Sequence, residues 1–154
     1  MAAPRFSLIA ENIRSLHNVG ALFRTADALG VDSMYLCGYT AAPPRSAIQK
    51  VSLGAESSVA WEHRRDTVAL IRELRRQGVT VAALEQTGQS VDIETWQPTW
   101  PVALVVGNEV DGVSPPALAA CTPHLSIRMD GQKESLNVSV AAGIALAALR
   151  RHRA

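Results

Sequence analysis

The sequence predicts an α/β domain, a parallel sheet with helices on both faces. Two observations carry this prediction. Short, continuously apolar runs recur along the chain: FSLIA at 6–10, SMYLC at 33–37, VTVAAL at 79–84 and VALVV at 102–106. Runs without polar alternation mark strands buried on both faces. Between them lie segments whose apolar residues recur with the 3.6-residue period of a helix. The 154 residues fit a single domain over 1–154, with no repeat and no long linker.

Phe6–Ala10 reads as the first strand. A helix from Asn18 to Leu29 follows, because Val19, Leu22, Phe23, Ala26 and Leu29 share a face and Gly30 ends it. Asn18 is the candidate cap. Ser33–Cys37 is a second strand, and TAAPPR at 40–45 a proline-marked loop. Ala47–Leu53 suits a short helix and Ser58–Trp61 a short strand. Asp66 caps a helix to about Gln77, with Gly78 behind it. Val79–Leu84 is a strand, Val91–Pro101 an irregular connection, and Val102–Val106 the most apolar strand. Ser114 suits a cap with Pro115 at the first helical position. His124–Met129 contains another strand. Leu136–Arg150 is the closing helix, with Ser135 as its cap and Asn137 in its first turn. That helix is apolar on nearly every side (Val138, Val140, Ala141, Ile144, Ala145, Ala148, Leu149). In so short a chain this implies one side buried in a partner subunit.

The net charge of +1 gives no global field to attract nucleic acid. Arginines nevertheless cluster at Arg64, Arg65, Arg72, Arg75 and Arg76 and at Arg150, Arg151 and Arg153. Cys37 and Cys121 have no metal-ligand spacing, so free buried thiols are expected and no metal site is. Without a signal peptide or a membrane-length apolar stretch, the chain reads as cytoplasmic and free of membrane.

Two loops stand where strands end, the place where open α/β sheets bind ligands. One is VALVVGNEVDGVS, with Gly107, Asn108, Glu109 and Gly112. The other is SIRMDGQKESLN, with Gly131, Ser135, Leu136 and Asn137. Neither is a dinucleotide fingerprint nor a P-loop.

Three stretches in order, ENIRSLHNVGALFRTADALG (11–30), LVVGNEVDGVS (104–114) and IRMDGQKESLNVSVAAGIAL (127–146), make the chain resemble the TrmH (SpoU) family of SPOUT RNA methyltransferases. PPRSAIQKVSLGAE at 43–56 resembles that family's connecting segment. The resemblance implies a C-terminal deep trefoil knot, which general topology rules would not suggest. It also implies a homodimer, S-adenosylmethionine as cofactor, and methyl transfer to a ribose 2′-hydroxyl of RNA, tRNA ahead of rRNA. By position it assigns cofactor contacts to Leu84, Glu85 and Thr87, to Gly107, Asn108, Glu109 and Gly112, and to Ile127, Met129, Ser135, Leu136 and Asn137. It assigns the chemistry to Asn18, Arg24, Glu109, Ser135 and Asn137, with Asn12 and His17 alongside, and allows Arg24 to serve the partner's cofactor.

The family's reaction makes Arg24 the group that activates the hydroxyl. A guanidinium stays protonated in nearly any protein setting. Holding an RNA phosphate and stabilising developing alkoxide charge therefore suits Arg24 better than proton abstraction. An ion pair with Asp27, three residues on, is the structural alternative. Trp61, Trp96 and Trp100 suit packing rather than base stacking. The competing function is a non-catalytic RNA-binding or assembly protein with the same fold. An oxidoreductase lacks its glycine fingerprint, and the SLN form of the third motif favours ribose oxygen over base nitrogen.

Overall fold

The computed structural model describes residues 5–153, and strands and helices alternate along it as the apolar runs require. Strands β1 (Phe6–Glu11), β2 (Ser33–Cys37), β3 (Ala60–Arg64), β4 (Thr80–Leu84), β5 (Val91–Asp92), β6 (Val102–Val106) and β7 (His124–Ser126) form one sheet. Their order is β3-β2-β1-β6-β4-β7-β5, and every pairing is parallel. The helices are α1 (Leu16–Ala28), α2 (Ser46–Ser52), α3 (Thr67–Arg76), α4 (Pro115–Ala120) and α5 (Val138–Arg150).

Alternation along the central strands builds two cores. Phe6, Leu8 and Ala10 of β1 and Val102, Leu104 and Val106 of β6 meet Leu22 and Phe23 of α1 and Leu146 and Leu149 of α5. Ile9, Ala103 and Val105 point the other way, toward Leu70, Ile71 and Leu74 of α3 and Ala117 of α4. All five residues of β6 are buried, which explains its lack of polar residues. Strand β6 enters between β1 and β4, so the sheet changes its direction of growth there. That reversal opens a crevice at the strands' carboxyl ends.

The differences from the sequence reading lie at element ends. Ser15, not Asn18, caps α1: its Oγ accepts from the Asn18 amide at 3.1 Å. Asn137, not Ser135, caps α5, so that helix begins at Val138 rather than Leu136. Ser114 holds the cap position of α4 with Pro115 at the first helical position, as expected, but its side chain makes no capping hydrogen bond. Its amide and hydroxyl both donate to the Glu11 carboxylate, at 2.8 and 2.9 Å, binding α4 to the end of β1. The connection 91–101 is irregular except for β5, which pairs with β7. Asp66 caps α3 as expected, accepting from the Ala69 amide at 3.0 Å.

Trp100 packs edge-to-face on Phe6 at 5.1 Å and donates Nε1–H to the His152 carbonyl, so it is a packing residue. On α5, Ala142, Ala145, Leu146, Ala148 and Leu149 are buried, whereas Val140 and Ile144 stand 50% and 43% exposed on the other side. Burial pushes the thiols of Cys37 and Cys121 up to about 12, so both are protonated and unreactive. Among the described residues, no helix is long and apolar enough to cross a membrane.

Candidate cofactor groove and its polar rim

Strands β4, β6 and β7 end side by side, and the loops that leave them enclose two adjoining hollows of about 140 and 200 Å³. The hollows share Leu84, Glu85, Ser135, Leu136 and Ala141 and form one groove. Of the residues the sequence assigned, the groove brings together Leu84, Glu85, Gly107, Asn108, Glu109, Gly112, Ile127, Met129, Ser135 and Leu136. Sequence reasoning missed Gln86, Glu134, Val138 and Ala141, which also line it. Only their adjacency to the motif residues could have pointed to them.

Thr87 lies elsewhere and lines a separate hollow beside α4. Its hydroxyl is 3.0 Å from His124 Nδ1, and its amide donates to Ser90 Oγ at 2.6 Å. The opposite ring nitrogen of His124 is 2.8 Å from the Leu118 carbonyl. A carbonyl can only accept, so Nε2 donates to it, and Nδ1 pairs with the Thr87 hydroxyl. Thr87 thus holds its loop together from behind and does not face the groove.

The loop after β6 closes on itself. Asn108 and Gly112 exchange backbone hydrogen bonds at 3.1 and 2.9 Å. The Asn108 Oδ1 accepts from the amides of Val110 and Asp111 at 2.8 and 2.9 Å. Gly107 lies flat against this turn: a β-carbon there would stand 2.3 Å from the Gly112 carbonyl carbon and the Val113 nitrogen. Gly112 has φ of +71°, and a β-carbon on it would meet the Glu85 carboxylate at 2.3 Å. That carboxylate accepts from the Val113 amide at 2.9 Å, joining the loop after β4 to the loop after β6.

The third loop has the opposite character. Among the described residues, the backbone of 128–136 makes no hydrogen bond to other backbone. The loop is exposed, so its N–H and C=O groups face solvent and are available to a ligand.

A polar chain along the rim links all three motifs. Glu109 accepts from the amides of Arg14 and Ser15 at 2.9 and 2.8 Å and from Asn18 Nδ2 at 3.0 Å. Asn18 Oδ1 accepts from Asn137 Nδ2 at 3.2 Å. Asn137 Oδ1 in turn accepts from the Ser139 and Val140 amides at the start of α5. One string of side chains therefore orients the N-termini of α1 and α5 on the loop after β6.

Partial burial alone would raise the Glu109 pKa, but the hydrogen bonds from Arg14, Ser15 and Asn18 outweigh it and hold the carboxyl below its ordinary value. A depressed folded-state pKa stabilises the fold above the unfolded value, about 4.3, and that stabilisation is lost as pH falls through the folded value. Glu109→Gln is therefore expected to lower Tm modestly at pH 7, the site being largely solvated. The gap from wild type should narrow steadily below about pH 4. Thermal melts of both proteins across that range check this, and a constant gap would contradict it.

Arg24 lies on α1, exposed and outside its own groove. Among the described residues it forms no ion pair, so the Asp27 alternative is not realised.

The sequence model of the SpoU rRNA Methylase family matches residues 5–147. The chain is 34% identical over 153 residues to a 23S rRNA (guanosine-2′-O-)-methyltransferase of Neisseria meningitidis, covering 99% of this chain and 61% of that protein. It is 35% identical over 147 residues to a tRNA (guanosine(18)-2′-O)-methyltransferase of Aquifex aeolicus, covering 95% and 69%. The chain thus spans about three fifths to two thirds of these relatives' length. The AdoMet-bound rRNA methyltransferase of Sinorhizobium meliloti superposes with a TM-score of 0.89 at 30% identity, over 99% of this chain and 58% of that one. With its parallel sheet, three-loop groove and three motifs joined at one rim, the chain belongs to the SpoU rRNA methylase family.

Proposed function

We propose that this chain transfers a methyl group from S-adenosylmethionine to a ribose 2′-hydroxyl of RNA. The observation that carries the reading is the rim chain Glu109–Asn18–Asn137, which ties the first motif to a groove lined by the other two and by the loop after β4. The groove's residues fit the cofactor. Leu84, Ile127, Leu136 and Ala141 give apolar walls, and 128–136 offers uncommitted backbone groups beside the loop at Gly107. When bound, S-adenosylmethionine supplies a methyl group already activated as a sulfonium. The protein's work is then alignment and stabilisation of charge on the attacking oxygen.

Arg24 supplies that stabilisation. Its guanidinium holds an RNA phosphate and offsets negative charge developing on the 2′-oxygen. Its place outside its own groove fits service to the groove of a partner subunit. The homodimer belongs to this reading, supported by the exposed Val140 and Ile144 on α5, which packs against α1. So do a single domain over 1–154, a cytoplasmic setting and a C-terminal deep trefoil knot. Asn18, Glu109 and Asn137 act as positioning residues, and Ser135 and Leu136 contact the cofactor.

The test is a nucleoside survey by mass spectrometry of tRNA and rRNA from cells with and without this gene. Loss of one 2′-O-methyl nucleoside, restored by wild type, is expected, with tRNA as the affected pool. No change in either pool would overturn the reading in favour of a non-catalytic RNA-binding protein.

A further inference from the structure

Tyr39 follows β2 and is 59% exposed, yet it is firmly held. Its amide donates to Asn12 Oδ1 at 3.2 Å. The next residue, Thr40, is buried, accepts from the Ile13 amide at 3.0 Å and donates to the Ala10 carbonyl at 3.0 Å. The hydroxyl end of Tyr39 is fixed as well: Asn108 Nδ2 donates to it at 2.7 Å and to the Asn12 carbonyl at 2.9 Å. Asn108 lines the groove, so the ring is anchored at the groove's edge by one of the groove's own residues. The other end of the same amide holds the Val110 amide, and the Val110 side chain is 83% exposed. One buried asparagine therefore presents an aromatic ring and an aliphatic side chain to solvent beside the methyl-transfer groove.

We infer that the Tyr39 ring is the rest on which a nucleobase of the substrate RNA stacks. The inference rests on the reading of the groove as an RNA methyl-transfer site. Single-stranded and loop bases are recognised chiefly by stacking on aromatic faces, which any base can do. A ring clamped at both its backbone and its hydroxyl loses little freedom when a base settles on it. Holding a base also holds its ribose, and a 2′-hydroxyl must be aligned with the methyl donor for displacement. Tyr39 is thus a substrate-binding residue, distinct from those that hold the cofactor.

The alternative role for Tyr39 is purely structural: its hydroxyl would serve only to steady Asn108. The two roles separate by variant. Methyl transfer is measured against graded total RNA isolated from cells lacking this gene, and S-adenosylmethionine binding is measured by calorimetry. Tyr39→Ala is expected to raise the half-saturating RNA concentration about 10- to 100-fold, with cofactor affinity within about twofold of wild type. Tyr39→Phe, which keeps the ring and loses the hydroxyl, should recover the RNA affinity that Tyr39→Ala loses. An unchanged half-saturation for Tyr39→Ala overturns the inference. So does equal impairment of both variants with weakened cofactor binding, which assigns Tyr39 to the loop. If wild type itself transfers no methyl group in this assay, the reading of the groove falls and the inference with it. Wild-type transfer with an unimpaired Tyr39→Ala removes the inference alone.

Discussion

Replacing Arg24 by alanine is expected to slow methyl transfer about 10²- to 10³-fold, the loss typical of removing one preorganised charge-stabilising donor. The protein should remain folded, because the side chain is exposed and makes no ion pair among the described residues. Single-turnover rates at saturating cofactor and RNA measure the effect. Arg24→Lys should recover only part of the rate, since an ammonium keeps the charge but loses the planar two-pronged contact to phosphate. A second arm tests service to the partner. Co-expressing Arg24→Ala with a subunit that cannot bind cofactor creates mixed dimers, in which one intact groove faces one intact arginine. Activity returning in that mixture supports the composite site. Its failure to return, with mixed dimers present, places Arg24 on its own subunit's groove. An unchanged rate in Arg24→Ala would remove the residue from the chemistry altogether.

Gly107→Ala is expected to damage stability and cofactor binding together. The new methyl group would meet the backbone of Gly112 and Val113 at 2.3 Å, and backbone cannot rotate aside as a long side chain can. Overpacking of this kind costs about 1–3 kcal/mol, equivalent to a fall in Tm of roughly 3–10 °C for a chain of this size. The neighbouring β6 is fully buried between β1 and β4, so the loop must yield instead of the strand. A displaced loop pulls Asn108 and Glu109 out of the groove and rim. Cofactor affinity should therefore fall at least about tenfold, for which 1.4 kcal/mol suffices. Gly131→Ala is the control, because a β-carbon at residue 131 has no heavy atom within 4 Å. Its Tm should match wild type. Equal melting temperatures for Gly107→Ala and wild type would show that the turn has room the geometry denies.

Much of the fold was legible because it is written in short-range pattern. The run Val102–Val106 could only be a strand covered on both faces, and it is the buried strand on which both cores meet. The apolar stripe of α3 and the Asp66 cap were equally readable, since a helix face and its cap lie within a few residues of each other. Caps failed where two residues able to cap stand close together. Ser15 and Asn18 both precede the apolar stripe of α1, and Ser135 and Asn137 both precede that of α5. Choosing between them needs the backbone angles at the first turn and knowledge of what else each side chain binds. Asn18 was unavailable as a cap because Glu109 and Asn137 already engage it.

The sequence by itself determined the parallel α/β class, most of its elements and, through three motifs in order, the family and the groove loops. Only the tertiary structure decided which loop residues face one another. Glu109 meets Asn18 across 91 residues, and Asn137 meets Asn18 across 119. It also separated Thr87 from the groove and brought Tyr39 to Asn108 across 69 residues. The physical reason is one of range. Periodicity and capping are local and leave their mark on neighbouring residues. Strand order is set by the burial of the whole sheet, and the contacts it creates have no spacing in the chain from which they could be read.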